Sequence, residues 1–301
     1  MQPSQRKVIL VTGASSGIGQ ATAALLAQEG HTVFGTSRSP GANRLHSFDL
    51  IALDVTSDDS VAACVQTVLE RAGRIDVLVN NAGADLPGAV EEISIDDAKW
   101  LFDTNFFGVV RMVKAVLPIM RGQGGGQIIT LTSALGRTGI PFETYYTATK
   151  HALEGFSESL RHEVMPFHIA VSLVEPGFFQ SNIRASKRPV ENALAIYEAQ
   201  RTRVIDAFDH SVAHGKDPAI LARAIRRIID SPRPAMRYTV GYEAVGVAMA
   251  KRFAPYPMLE KYMRYTFGLD DWQQDAQKAA PFVLGAVGLL FALLGLRKRI
   301  G

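Results

Sequence analysis

The sequence predicts an α/β protein with a doubly wound parallel sheet of about seven strands and helices on both faces. Short apolar runs alternate with helix-like segments along most of the chain. Within these runs the apolar residues occupy consecutive positions, which is typical of parallel strands that are covered on both faces. This alternation implies right-handed crossovers between parallel strands, with ligands bound at the carboxyl edge of the sheet.

The predicted strands are the short apolar runs, and they lie, in chain order, at 7–11, 32–36, 50–53, 77–79, 127–131, 170–174 and 237–240. Helical patterns lie between them, near 18–29, 60–71, 96–121, 145–164 and 218–230. Residues 178–215 interrupt this rhythm after the carboxyl end of a strand. We therefore expect them to form an insertion that covers a substrate, rather than a separate domain.

The first strand ends in a glycine-rich turn that leads into a helix. This turn reads Thr12-Gly13-Ala14-Ser15-Ser16-Gly17-Ile18-Gly19. The backbone N–H groups of such a turn, together with the helix N-terminus, attract a pyrophosphate. The spacing is GxxxGxG rather than the GxGxxG of the general dinucleotide fingerprint, and tight turns also use glycine for backbone reasons alone. Its position after the first strand favours a dinucleotide site.

The end of the second strand indicates which dinucleotide is preferred. An NAD site places an acidic residue here to bind the ribose 2′-OH, whereas an arginine accommodates the 2′-phosphate of NADP. The chain has Thr36-Ser37-Arg38 at this point, with no acid nearby. Arg38 therefore favours NADP(H), the alternative being an ordinary solvated arginine.

A tyrosine and a lysine lie four residues apart in a helical pattern, as Tyr146 and Lys150. This spacing places both on one helix face. A neighbouring ammonium lowers the pKa of a phenol, which is otherwise too high for a general base at neutral pH. Ser133 follows an apolar strand and its hydroxyl could hold a substrate oxygen beside the phenol. Taken alone, a Tyr–Lys pair is more often a surface contact. Tyr145 has Thr149 at the fourth position and lacks the cation.

Together these motifs resemble the short-chain dehydrogenase/reductase family over roughly residues 7–269. They occur in the family's order and spacing, as Thr12-Gly13-x-x-x-Gly17-x-Gly19, Asn80-Asn81-Ala82-Gly83, Ser133, Tyr146-x-x-x-Lys150 and Pro176-Gly177. The resemblance implies a single Rossmann-type domain that moves a hydride between a nicotinamide and an alcohol or carbonyl carbon.

The resemblance also implies the catalytic roles. Tyr146 would be the acid/base, and Lys150 would lower its pKa and hold the nicotinamide ribose. Ser133 would orient the substrate oxygen. Asn105 is similar to the family's helix asparagine, which supports a water and proton relay to the lysine.

The same resemblance, with the Arg38 argument, predicts the cofactor contacts. Asp54 would contact the adenine, and Pro176-Gly177 would flank the nicotinamide. Ser181 stands where the family pattern Pro-Gly-x-x-x-Thr has threonine, and it keeps the hydroxyl. The full predicted set is Gly13, Ser15, Ser16, Gly17, Ile18, Gly19, Ser37, Arg38, Asp54, Val55, Asn81, Ala82, Gly83, Tyr146, Lys150, Pro176, Gly177, Phe179 and Ser181.

An apolar substrate pocket is predicted from the aromatic residues near these motifs. Ser133 and Tyr146 would bind the reacting oxygen, while Phe142 and Phe178 would contact the rest of the molecule. Residues 245–269 look similar to the branch of the family that acts on steroids, retinoids and related lipids. The leading hypothesis is therefore an NADP(H)-dependent oxidoreductase with a lipophilic substrate. The alternatives are a family member with a polar or acyl-carrier substrate, and a non-enzymatic NADP-binding membrane protein.

Composition excludes several other classes of protein. Of 301 residues 47% are apolar and the formal net charge is +3, which excludes a disordered chain and argues against a nucleic-acid partner. Cys64 is the single cysteine, so the chain is not a disulfide scaffold. His210 and His214 have metal-compatible spacing but lack an accompanying ligand signature, so no metal site is predicted.

The two ends of the chain suggest where it resides. The first residues are polar, without the apolar stretch of a secretory signal, so we expect the domain, residues 1–270, to be cytosolic. Residues 271–301 form a tail in which 279–296 carry no charge, and a basic triplet, Arg297 to Arg299, follows. We expect a membrane-associated helix there, the alternative being a helix buried or covered by a partner. A homodimer is expected by family resemblance only.

Overall fold

In the computed structural model, residues 6–41, 46–183, 187–188 and 190–269 are described. Seven strands form one parallel sheet in the order β3-β2-β1-β4-β5-β6-β7. They are β1 Val8–Val11, β2 Thr32–Ser37, β3 Asp49–Ala52, β4 Val77–Asn80, β5 Gly126–Leu131, β6 Ile169–Pro176 and β7 Arg237–Val240. All seven predicted strands are thus confirmed, and their ends differ from the prediction by at most two residues.

The helices cover both faces of this sheet. They are α1 Gly17–Gln28, α2 Asp58–Ala72, α3 Ile95–Phe102, α4 Gly108–Gly122, α5 Thr144–Val164, α6 Ala195–Ala213, α7 Pro218–Asp230, α8 Tyr242–Phe253 and α9 Tyr256–Thr266. Polar caps fix several of the helix starts. The Ser57 hydroxyl accepts from the Ser60 N–H before α2, and the Asp217 carboxylate accepts from the Ala219 N–H before α7, where Pro218 occupies the first turn.

Alternate residues of β1, an inner strand of the sheet, belong to two separate layers of the core. Val8 and Leu10 of β1 pack with α2, α4 and α5 on one face. Ile9 and Val11 pack with α1 and α7 on the other face. Because all four side chains are buried, the strand is apolar at every position rather than at alternate ones. The doubly wound sheet is therefore confirmed, and its crossovers leave the carboxyl edge open for a site.

The prediction of a single helix over 96–121 is wrong, because the structure divides this segment into two helices. A π-helical turn, Asp103–Phe107, separates α3 from α4. Asn105 lies in this turn with its side chain buried, and it bonds to the backbone of Ala84 in the loop after β4. A π-turn inserts an extra residue into a helix, and such turns frequently mark functional sites.

The predicted insertion, residues 178–215, contains a helix that the sequence pattern does not indicate. Only a narrow stripe of α6 is buried, at Val204, Phe208 and Val212. The start of α6 is fastened to the loop after β4 by the buried carboxylate of Glu92. This carboxylate accepts from the N–H groups of Ala89 and Leu194 and pairs with Arg201.

The predicted apolar tail segment, 279–296, lies outside the described residues. Among the helices that the structure does describe, none is both long and apolar enough to cross a bilayer.

Candidate active site

A cavity of about 870 Å³ opens at the carboxyl edge of the sheet. It begins where β1 and β4 are neighbours, the point at which the strand order reverses. Ligands of doubly wound sheets bind at such a point, because the flanking loops diverge there. The cavity extends past the ends of β5 and β6 to the insertion and to α8 and α9.

The glycine turn forms one wall and is shaped by its backbone. Gly13 and Gly17 have φ angles of +66° and +55°, which disfavour any side chain. A Cβ on Gly19 would lie 2.3 Å from the carbonyl oxygen of Gly13, so this position also requires glycine. Asn81 locks the turn, since its Nδ2 donates to the carbonyl oxygens of Thr12 at 2.9 Å and Gly13 at 3.0 Å. The turn therefore has no side chains at its glycines, and its backbone forms the cavity wall at the start of α1.

Polar side chains close this end of the cavity beyond the glycine turn. Arg38, at the end of β2, is exposed and lines the cavity with Ser37. Asp54 lines it from the end of β3, and its Oδ1 accepts from the N–H of Thr56 at 2.9 Å and from its hydroxyl at 2.7 Å. The backbone N–H of Thr56 is the largest influence that lowers the pKa of Asp54, and Arg38 lowers it further. The arrangement offers an arginine and a carboxylate side by side.

Tyr146 and Lys150 project into the cavity from the first turns of α5. The Lys150 Nζ lies 5.4 Å from the centre of the Tyr146 ring and donates to the carbonyl oxygen of Leu131 at 3.1 Å. Burial lowers the pKa of Lys150 to about 8, against the opposing charges of Asp85 and Glu154. Ser133 lines the same part of the cavity and accepts from the Leu135 N–H at 3.1 Å through its Oγ. The phenol, the ammonium and the hydroxyl that the sequence predicts are thus brought together.

Asn105 lies behind these residues, outside the cavity lining. Its Nδ2 donates to the carbonyl oxygen of Ala84 at 3.0 Å and to the Thr149 hydroxyl at 3.3 Å, while its Oδ1 accepts from the Ala84 N–H at 2.8 Å. Thr149 belongs to α5, between Tyr146 and Lys150. The π-turn thereby connects the loop after β4 to the helix that carries Tyr146 and Lys150.

The segment after β6 also lines the cavity. It contributes residues that the sequence predicts to contact cofactor or substrate, namely Pro176, Gly177, Phe178, Phe179 and Ser181. Phe142 and Gly19 do not line it. Instead the Phe142 ring packs edge-on against Tyr197 of α6, with ring centres 6.3 Å apart. The backbone of Phe142 has a φ of +61°. The structure therefore places Phe142 against α6, outside the cavity lining, and does not bring it together with the other residues predicted to bind substrate.

Three charged groups of the lining are absent from the predicted set. Lys216 and Glu243 pair across the cavity wall, with both carboxylate oxygens 2.7 Å from the Nζ. They lie 27 residues apart, so no local pattern reveals the pair. Asp85 lines the cavity two residues after the Asn-Asn-Ala-Gly motif and is 2% exposed. Because Asp85 is so close in the chain to a predicted cofactor motif, the sequence alone could have indicated that it lines the site.

Comparison with known proteins agrees with this geometry. A family model described as short chain dehydrogenase matches residues 7–192. The chain belongs to this family. It is 39% identical over 272 residues to a 3-ketodihydrosphingosine reductase of Bacteroides thetaiotaomicron, covering 89% of this chain and all of that protein. It is 35% identical over 254 residues to retinol dehydrogenase 8 of Bos taurus, covering 77% and 80% of the two chains.

A solved structure adds evidence on the cofactor. The short-chain dehydrogenase/reductase of Burkholderia phymatum, in complex with NAD, superposes with a TM-score of 0.72 at 25% identity, covering 84% of this chain and 94% of that one. As a short-chain dehydrogenase, the protein is an oxidoreductase that uses a nicotinamide cofactor. The residues fit such a group, since Gly13, Gly17 and the serines between them line the cavity at the start of α1, where a helix N-terminus attracts a pyrophosphate.

Proposed function

We propose that this dehydrogenase uses NADP(H) and interconverts a carbonyl and an alcohol on a lipophilic substrate. The observation that carries the proposal is the composition of one continuous cavity. Ser133, Tyr146 and Lys150 line it together with a set of apolar side chains, namely Leu135, Ile140, Ile183, Phe208, Val247 and Met263. Mostly apolar pockets with a few placed polar groups bind lipophilic ligands. The two relatives named above, for a ketodihydrosphingosine and for retinol, support the same substrate class.

The reaction follows from the positions of three side chains. Ser133 and Tyr146 would hold the substrate oxygen by hydrogen bonds, and in reduction Tyr146 would donate its proton to that oxygen. Lys150 would stabilise the phenolate that remains, because a buried ammonium favours the charged form of its neighbour. Donors aimed at the oxygen stabilise the charge that develops there. A bound nicotinamide would supply or accept the hydride.

A substrate panel tests the proposal directly. Consumption of NADPH should be fastest with long-chain or polycyclic ketones and slow with short polar ketones of equal intrinsic reactivity. Only the former are large enough to contact the apolar side chains of the cavity. Acyl-carrier thioesters form the third arm of the panel. Preferential reduction of the thioesters or of the polar ketones would contradict the proposed substrate class while leaving the oxidoreductase assignment intact.

Arg38 is expected to select the 2′-phosphate. Arg38→Asp should weaken NADPH binding by about 10- to 100-fold, because a charge-assisted contact is lost and a repulsive charge is added. NADH affinity should stay the same or rise. The measurement is the dissociation constant of each cofactor by fluorescence titration. Arg233→Asp makes the same charge change at an exposed site away from the cavity lining and serves as the control. Equal NADPH affinity in wild type and Arg38→Asp would refute the assignment.

A further inference from the structure

The exposed apolar side chains of this protein concentrate on α8 and α9. Seven of the fifteen large apolar side chains that are exposed in the described residues lie between Tyr242 and Tyr262. Apolar side chains that are exposed in a group, rather than singly, mark a surface that contacts another molecule. We refer to the exposed faces of these two helices, residues 242–266, as the α8–α9 surface.

On α8 the exposed side chains form a stripe that faces solvent. Intervals of three and four residues separate them, which is the spacing of one helix face. The stripe consists of Tyr242, Val245, Met249 and Phe253. The rest of the helix packs on the protein, where Ala244 is buried and Val247 and Ala250 contact an apolar cluster of the core. The core therefore uses one face of α8 and leaves a second apolar face uncovered.

Cations lie among these exposed rings. The Lys251 Nζ is 5.5 Å from the centre of the Tyr256 ring, and the Arg252 guanidinium carbon is 5.4 Å from that of Phe253. The two helices carry four cations and two acids, and one of these acids, Glu243, pairs with Lys216. Aromatic rings with interspersed cations suit an anionic bilayer, because the rings enter the interface while the cations meet lipid phosphates.

The α8–α9 surface also borders the opening of the cavity. Tyr242 is 76% exposed and Tyr262 is 59% exposed, yet both line the cavity. Val247 and Met263 of the same helices line it as well. A lipid surface in contact with these helices would therefore lie against the cavity opening.

We propose that the α8–α9 surface docks the folded domain on an anionic lipid bilayer, with the cavity opening toward the lipid. This goes beyond the proposed function and gives a lipophilic substrate a direct path from the bilayer. A second copy of the chain fits less well, since a two-fold contact brings the two basic surfaces together. The uncharged segment 279–296 offers Lys251 and Arg252 no partner, whereas lipid phosphates do.

Cys64 allows a site-specific test in the full chain, because it is the single cysteine and is buried. Burial raises the pKa of its thiol to about 12, so it reacts slowly with a label. Phe253→Cys carries an environment-sensitive fluorophore on the α8–α9 surface. Met165→Cys carries the same fluorophore at an exposed position before β6, at the opposite edge of the sheet from the cavity.

Vesicles of phosphatidylcholine with phosphatidylserine should shift the emission of the label at position 253 to the blue and leave the label at position 165 unchanged. Pure phosphatidylcholine should give a weaker response, since it lacks net negative charge. Lys251→Gln with Arg252→Gln should weaken binding to the mixed vesicles by about 10- to 100-fold. Lys114→Gln with Arg233→Gln removes two exposed cations elsewhere and should keep the affinity. The labels report docking without turnover, so the result is independent of the proposed function.

Several results would overturn the inference. One is the absence of vesicle binding, and another is protein that sediments with vesicles while the label at position 253 does not respond. A label at position 253 that is blue-shifted before vesicles are added, and unchanged by them, shows that another segment or a second copy covers the surface. Equal affinity of the two double variants shows that Lys251 and Arg252 do not contact the lipid.

Discussion

Tyr146→Phe is expected to lower turnover by about 10²- to 10⁴-fold while NADPH continues to bind, because general acid/base catalysis contributes a factor of that size. The substitution removes only the phenol oxygen, so the ring keeps its place in the apolar cluster at the start of α5. The loss should lie in kcat rather than in cofactor affinity. Single-turnover reduction with a substrate from the panel measures the chemical step, and fluorescence titration measures NADPH binding.

The chain supplies a matched control for this substitution. Tyr145 is the preceding residue and lacks a cation one turn further along, since Thr149 stands there. It is also absent from the residues that line the cavity. Tyr145→Phe should therefore leave turnover within a factor of a few. If Tyr146→Phe kept wild-type activity, or if both variants lost activity equally, Tyr146 would not be the acid/base.

Lys150→Met is expected to lower turnover by at least about 10²-fold, since the phenol loses the cation that stabilises its charged form. The same change should alter how stability depends on pH. The pKa of Lys150 is lowered from its ordinary value of 10.5 to about 8 in the folded protein because the ammonium is buried. Between these values the unfolded chain holds the proton and the folded chain does not. The free energy of unfolding of wild type therefore increases as pH rises from about 8 to about 10.5. Below about pH 8 the contribution of Lys150 to this free energy does not change with pH.

The variant lacks this contribution, so the difference in stability between the two proteins changes with pH. Relative to Lys150→Met, wild type should gain about 2 kcal/mol in the free energy of unfolding between about pH 7.5 and 9.5. Urea unfolding at both pH values provides the measurement. Lys114→Met, at an exposed position of α4, should show no such gain. A difference between wild type and Lys150→Met that does not vary over this range would contradict a burial-lowered pKa.

The sequence predicts those parts of the molecule that depend on local spacing. The interval of four residues between Tyr146 and Lys150 fixes a shared helix face, and the structure places both in one cavity. The strands are recognisable because burial on both faces makes every position apolar, as in β1. In each case neighbours along the chain carry the whole signal.

The features that escape prediction depend on contacts between distant residues. Asn105 of the π-turn bonds to Ala84, which is 21 residues away in the chain. The apolar pattern of residues 96–121 gives no sign of this turn and predicts a single helix. Asp85 is buried in a loop that hydrogen bonds attach to distant residues, from Ala84 to Asn105 and from Gly88 to Phe142, and the residues beside Asp85 in the chain do not encode these contacts. For Phe142 the local sequence suggests a contact with substrate that the structure does not show. Phe142 is aromatic and lies four residues before Tyr146, yet it packs against Tyr197 of α6 and does not line the cavity.

The fastening of α6 by Glu92 has a kinetic consequence. Swinging this helix outward would separate a fully buried carboxylate from Arg201 and from two backbone N–H groups. Leaving such a charge without its partners costs several kcal/mol. Slow excursions of a hinged lid often limit the turnover of enzymes that enclose their substrates. We therefore expect α6 to stay in place during turnover, so that substrate and product exchange past side chains at the rim of the cavity and product release does not wait for this helix to open.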